Sequence, residues 1–159
     1  MATQLNRFYQ IAADAIFRHD GTLDKLVGDQ VMAFFGAPIH RADHPRRAVA
    51  TAVDIMRKIV DLEDPLGLSV GAGIASGEAF VGNVGGSDVT DYTVLGDTVN
   101  VAARLQSEAA SGEIFISDET YAQVASEFPY AKRHALTLKG KSEPVIAWET
   151  GPGSAVRGR

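Results

Sequence analysis

Two stretches place charged and polar side chains where chemistry is possible. In "LDKLVGDQVMAFFG", Leu23 to Gly36, Lys25 and Asp29 stand four residues apart around a Gly-Asp turn. A carboxylate fixed on a rigid turn suits a hard divalent cation such as Mg²⁺, which takes oxygen ligands. A solvated hairpin is the plainer reading of the same residues. In "VNVAARL", Asn100 and Arg104 are also four apart. On a helix that spacing puts them on one face, one turn from each other. They fit a satisfied buried polar pair, or an amide and a guanidinium aimed at phosphate, for which the planar fork of arginine is well shaped.

Other features carry weaker signals. Lys139 and Lys141 flank Gly140, and a surface turn is the default there. "GNVGG" matches neither the P-loop nor the dinucleotide fingerprint, and reads as a hairpin exit needing close backbone approach. His40 and His44 have the spacing of a helical metal pair, but Pro45 directly after His44 biases it away from helix, which favours a loop pair. Asp61, Glu63 and Asp64 read as a solvated helix exit. The chain has no cysteine, which excludes disulfides, thiolate metal sites and cysteine nucleophiles.

These residues need elements to hold them. Apolar positions at spacings of three and four predict helices over Gln4 to Arg18 and over Pro45 to Val60, the second with proline in its first turn. "TLDKL" and "VMAFFG" predict a hairpin closed by Gly28 and Asp29. A second hairpin is expected around Ser76-Gly77, ending in the glycine-rich loop "GNVGGSD". "TDYTVLGDTVNVAARLQSEAAS" then passes from a short strand through Gly96-Asp97 into a helix. "EIFIS" predicts a strand whose Ser117 caps the helix "DETYAQVASEF". The last hairpin turns around Lys139-Gly140-Lys141, residues 1–150 make one domain, and residues 151–159 read as a flexible tail. Strands in tight hairpins cannot all be parallel, so the expectation is an α+β sandwich of one antiparallel sheet under helices.

The 159 residues suit one domain that buries roughly two-thirds of its unfolded surface. With 45% hydrophobic and 22% charged residues, the composition is that of an ordinary globular domain. A net charge of -5 argues against a general nucleic-acid binder. No apolar run is long enough to span a bilayer and no targeting pattern opens the chain, so a soluble, cytoplasmic protein is expected.

Taken together and in order, "DKLVGDQVMAFFG", "GIASGEAFVGNVG" and "YTVLGDTVNVAARLQSEA" resemble the catalytic domain of class III adenylyl and guanylyl cyclases, and "LKGKSEPVIAWE" resembles the closing hairpin of that family. The block "GDTVNVAARL" is the most specific. The resemblance implies a ferredoxin-like antiparallel sheet with helices packed on it. It also implies a head-to-tail homodimer, or pairing with a complete cyclase domain, with each nucleotide site built from both partners.

The resemblance assigns roles by position. Asp29 corresponds to the second of two aspartates that bind Mg²⁺ or Mn²⁺. Lys25 and Thr93 correspond to the purine-reading pair, and the lysine-threonine combination is similar to an adenine-selecting subclass associated with bicarbonate stimulation. Asn100 corresponds to the ribose-orienting asparagine and Arg104 to the transition-state arginine. Lys141, or failing it Lys139, corresponds to the triphosphate lysine. ATP is thus the implied substrate, with cyclic AMP and pyrophosphate as products. The family strand bearing the first metal aspartate has no counterpart in these residues, and Asp14, Asp20 and Asp24 are misplaced to substitute for it. An incomplete two-metal site and an opened sheet edge are therefore expected. The alternative is a catalytically silent nucleotide-binding or dimerisation module.

Overall fold

The computed structural model describes residues 2–85 and 90–150. The element order is α1 (Ala2–Arg18), β1 (Thr22–Val27), β2 (Gln30–Phe34), α2 (His44–Val60), β3 (Ala72–Ile74), β4 (Phe80–Gly85), β5 (Thr90–Leu95), α3 (Asp97–Glu108), β6 (Ile114–Ser117), α4 (Asp118–Val124), β7 (Lys132–Leu136) and β8 (Val145–Thr150). The α+β class expected from the sequence is what the chain adopts. The strands, however, form three sheets rather than one: the hairpin β1-β2, a four-stranded sheet in the order β3-β6-β8-β7, and the hairpin β4-β5. Within the four-stranded sheet β3 and β6 are parallel, while β6-β8 and β7-β8 are antiparallel.

The expected hairpin around Ser76-Gly77 does not form. β3 pairs with β6, and β4 turns away to pair with β5, from Phe80↔Leu95 to Gly85↔Thr90. The "GNVG" of the expected loop lies inside β4, and the rest of that loop, residues 86–89, falls outside the described residues. His44 also departs from expectation. It opens α2, with Pro45 in the first turn where a missing N–H costs nothing, and only His40 stays in the preceding loop. The helix expected up to Phe128 stops at Val124 and continues as a single 3₁₀ turn.

The four-stranded sheet is covered on both faces, and β6 shows why. Its residues Ile114, Phe115, Ile116 and Ser117 are all buried. Ile114 and Ile116 pack with Val49, Val53 and Met56 of α2 and with Val124 and Phe128. The alternate residue Phe115 packs on the other side with Leu105 of α3, Leu138 and Ala147. α1 is layered on α2 through Phe8 and Ala12, which meet Leu66, Ile55 and Ile59. Ser117 caps α4 as expected, its Oγ accepting the Thr120 backbone N–H at 3.2 Å.

One glycine fixes how closely α3 sits on β3. A side-chain carbon at Gly73 would fall 2.3 Å from the backbone nitrogen of Gln106 and 2.4 Å from the carbonyl oxygen of Ala102. The helix that carries Asn100 and Arg104 thus lies directly against strand backbone. Among the described residues no helix is long and apolar enough to cross a membrane.

Candidate functional site

The first part of the site is built where β1 meets β5. The β1-β2 register runs Leu23↔Ala33 and then Lys25↔Met32, so Asp24 has no partner across the hairpin and forms a bulge. Regular alternation would send Asp24 and Lys25 to opposite faces. With the bulge, both reach Thr93 of β5. Lys25 Nζ donates to Thr93 Oγ1 at 2.8 Å and to Asp24 Oδ1 at 3.1 Å, and Thr93 Oγ1 donates to Asp24 Oδ2 at 2.6 Å. The Asp24 side chain is 1% exposed and the Lys25 side chain 41% exposed. A buried carboxylate needs partners to offset lost hydration, and here an ammonium and a hydroxyl supply them.

The turn after Lys25 comprises Gly28 and Asp29 alone, as the sequence predicts. Gly28 takes φ +58°, a conformation that residues with a side chain rarely adopt. The Tyr9 hydroxyl donates to the Gly28 carbonyl and ties the turn to α1. Asp29 is exposed, and among the described residues it makes no side-chain hydrogen bond. Nor do the described residues contain a group of three or more His, Cys, Asp or Glu placed to hold a metal ion. Asp29 offers a divalent cation one carboxylate; the donor set of these residues does not close a two-metal centre.

The second part is α3, which starts directly after Gly96, three residues beyond Thr93. Asn100 and Arg104 are both exposed on it, and among the described residues neither makes a side-chain hydrogen bond. The buried-pair reading of these two is therefore wrong, and the face is open to a ligand. Lys141, in the connection between β7 and β8, is brought to the start of this helix, where its Nζ donates to the Asp97 carboxylate. Lys139 is exposed on the same connection.

The structure thus joins Lys25 with Thr93 and brings Lys141 to the helix of Asn100 and Arg104, while Asp29 stands apart on its turn. Asp24 is the residue that sequence reasoning missed. Its signal was the adjacency of an acid to Lys25, which strand alternation alone makes look irrelevant. The two histidines have their rings 6.0 Å apart, edge to face. Burial, and after it the neighbouring His40, hold the His44 imidazole below its ordinary pKa.

Comparison with known proteins identifies the family and the fold. The sequence model of the adenylate and guanylate cyclase catalytic domain matches residues 1–149. An uncharacterized protein of Mycobacterium tuberculosis is 36% identical over 146 residues, covering 89% of this chain and 27% of that protein. A second uncharacterized protein of the same organism is 37% identical over 147 residues, covering 89% and 25%. The chain therefore spans about a quarter of the length of these relatives. Among solved structures, the guanylyl cyclase Cya2 superposes with a TM-score of 0.86 at 33% identity, covering 93% of this chain and 78% of that one. The adenylyl cyclase CyaB from P. aeruginosa superposes with a TM-score of 0.80 at 30% identity, covering 99% and 83%. With its sequence and its fold in agreement, the chain belongs to the adenylate and guanylate cyclase catalytic domain family.

Proposed function

We propose that this chain is an adenylyl cyclase catalytic domain that forms cyclic AMP and pyrophosphate from ATP, in the cytoplasm, at a site shared between two head-to-tail domains. The observation that carries the reading is the 2.8 Å contact between Lys25 and Thr93, residues of two different hairpins that meet as a polar pair beside α3. A donor and a hydroxyl held together in this way can read the hydrogen-bonding edge of a purine.

In this reading the ribose 3′ oxygen attacks the α-phosphorus. The new O–P bond forms as the bond to pyrophosphate breaks, and the 3′ hydroxyl proton passes to solvent water. Asn100 orients the ribose, and Arg104, one turn further along α3, supports the charge developing on the α-phosphate. Lys141 neutralises the triphosphate, with Lys139 as the nearby alternative. Asp29 would hold Mg²⁺ or Mn²⁺ through a carboxylate oxygen, and the ion would supply positive charge beside the triphosphate.

The test is cyclic AMP production by the purified chain with ATP and Mn²⁺, beside an Asp29→Ala control. Product that disappears in the control supports the reading. Asp29, exposed and apart from the other site residues on its turn, supports a second reading, a module that binds nucleotide or pairs with a complete cyclase domain without turnover. Nucleotide binding and dimerisation with no product would establish that one instead.

A further inference from the structure

Asp24 lies outside every role described so far, yet it is the most enclosed charge at the site. Its side chain is 1% exposed, and it accepts from both members of the polar pair. A hydroxyl has one proton and two lone pairs, whereas an ionised carboxylate can only accept and an ammonium can only donate. The Thr93 proton is therefore directed to Asp24 Oδ2 at 2.6 Å, and one Thr93 lone pair takes a Lys25 proton at 2.8 Å. What Thr93 has left is a single lone pair, an acceptor. Of the three Lys25 protons, one faces Asp24 and one faces Thr93, which leaves one for a ligand at the exposed end. Thr93 is only 3% exposed, so its protein partners rather than bulk water set the direction of its hydroxyl before any ligand arrives.

We infer that Asp24 is a positioning residue that sets purine selectivity, by holding the Thr93 hydroxyl as an acceptor and Lys25 as a donor. At the purine 6-position adenine carries an amino donor and guanine a carbonyl acceptor. An acceptor-only Thr93 matches the amino group and opposes the carbonyl. The inference rests on the proposed ATP reading, in which Thr93 faces the 6-substituent. The bulge is what makes the device possible, because without the extra residue in β1 the carboxylate and the lysine would face opposite sides of the hairpin.

Asp24→Asn tests it. The Asn amide can donate to Thr93 Oγ1, which reverses the hydroxyl and turns its proton outward, toward an acceptor such as the guanine carbonyl. The probes are 3′-deoxy-ATP and 3′-deoxy-GTP, which lack the attacking hydroxyl, titrated calorimetrically into the full chain with Mn²⁺. The wild-type chain is expected to prefer the adenine nucleotide, and Asp24→Asn to reduce the adenine-over-guanine ratio by about tenfold to a hundredfold. A general weakening of the fold would lower both affinities together and leave the ratio where it was. Should Asp24→Asn fail to fold, Asp24→Ser, which also offers a donor, is read in its place with the same expectation. A wild-type preference for adenine that persists unchanged in a folded variant overturns the inference alone. A wild-type chain that prefers guanine, or binds neither nucleotide, overturns the adenine reading and the inference with it.

Discussion

The Lys141 ammonium is held by the Asp97 carboxylate, which fastens the connection between β7 and β8 to the first turn of α3. A lysine that serves a triphosphate must leave this partner or share it. Lys141→Ala is expected to weaken ATP binding by about tenfold to a hundredfold, since a charge-assisted contact is worth about 1.5–3 kcal/mol, and to leave adenosine binding unchanged. Parallel calorimetric titrations with ATP and adenosine check this. Equal losses for both ligands would place Lys141 away from the phosphates.

Arg104 is exposed on α3, so its removal should hardly alter stability. Arg104→Ala is expected to shift unfolding free energy by less than about 0.5 kcal/mol while lowering kcat by about 10² to 10³, the usual cost of losing one preorganised electrostatic contact. Thermal melts beside initial rates of cyclic AMP formation separate the two effects. A large fall in melting temperature with an unchanged rate would reverse the assignment.

Gly73 is the point of closest approach between β3 and α3. Gly73→Ala would drive a methyl group into the backbone at Ala102 and Gln106, neither of which can swing aside. A loss of about 1–3 kcal/mol or more is expected, with Tm falling by about 2–4 °C for each kcal/mol. Because Asn100 and Arg104 ride on the displaced helix, kcat should fall in the same variant even below its melting transition. Calorimetry and rate measurements at low temperature check both halves.

His44 provides a pH dependence. Burial and the neighbouring His40 hold its pKa below the ordinary histidine value, while Asp43 pulls the other way. The unfolded chain therefore binds a proton at His44 more readily than the folded one. Stability is full above the ordinary value of about 6.5 and is lost as pH falls through it toward the lowered folded value. His44→Gln is expected to lose less Tm than the wild-type chain between about pH 7.5 and about pH 5.5. Identical slopes for the two proteins would remove His44 from the account.

Local signals carried much of this structure. The proline in the first turn of α2, the Ser117 cap, the Gly28-Asp29 turn and the three-and-four spacing of α1 each act within a few residues, and each appears where the sequence predicts. The partner of β3 could not be read in this way. Ser76-Gly77 offers turn chemistry, but turn residues permit a hairpin without requiring one, and pairing with β6 packs the half-buried Ile74 beside Ile116 against the core that α2 covers. The helical spacing of Asn100 and Arg104 was legible, while their exposure depended on which face α3 turns to the sheet. Asp24 was hidden because a bulge breaks the alternation by which a strand's sequence shows its two faces.

The position of β6 has a consequence for how the chain folds. This strand takes Ala72 to Ile74 on one edge and Ala147 to Thr150 on the other, so its neighbours come from distant parts of the sequence. The hairpins β1-β2 and β4-β5 close over short loops and can form early. The central layer must wait until residues near the C-terminal end are available, because a parallel pair needs a long crossover and non-local pairing slows folding. During synthesis β3 therefore emerges well before any strand it can pair with. Until β6 and β8 arrive, the apolar face of α2 is left without its sheet, and this interval is when the nascent chain is most exposed to aggregation.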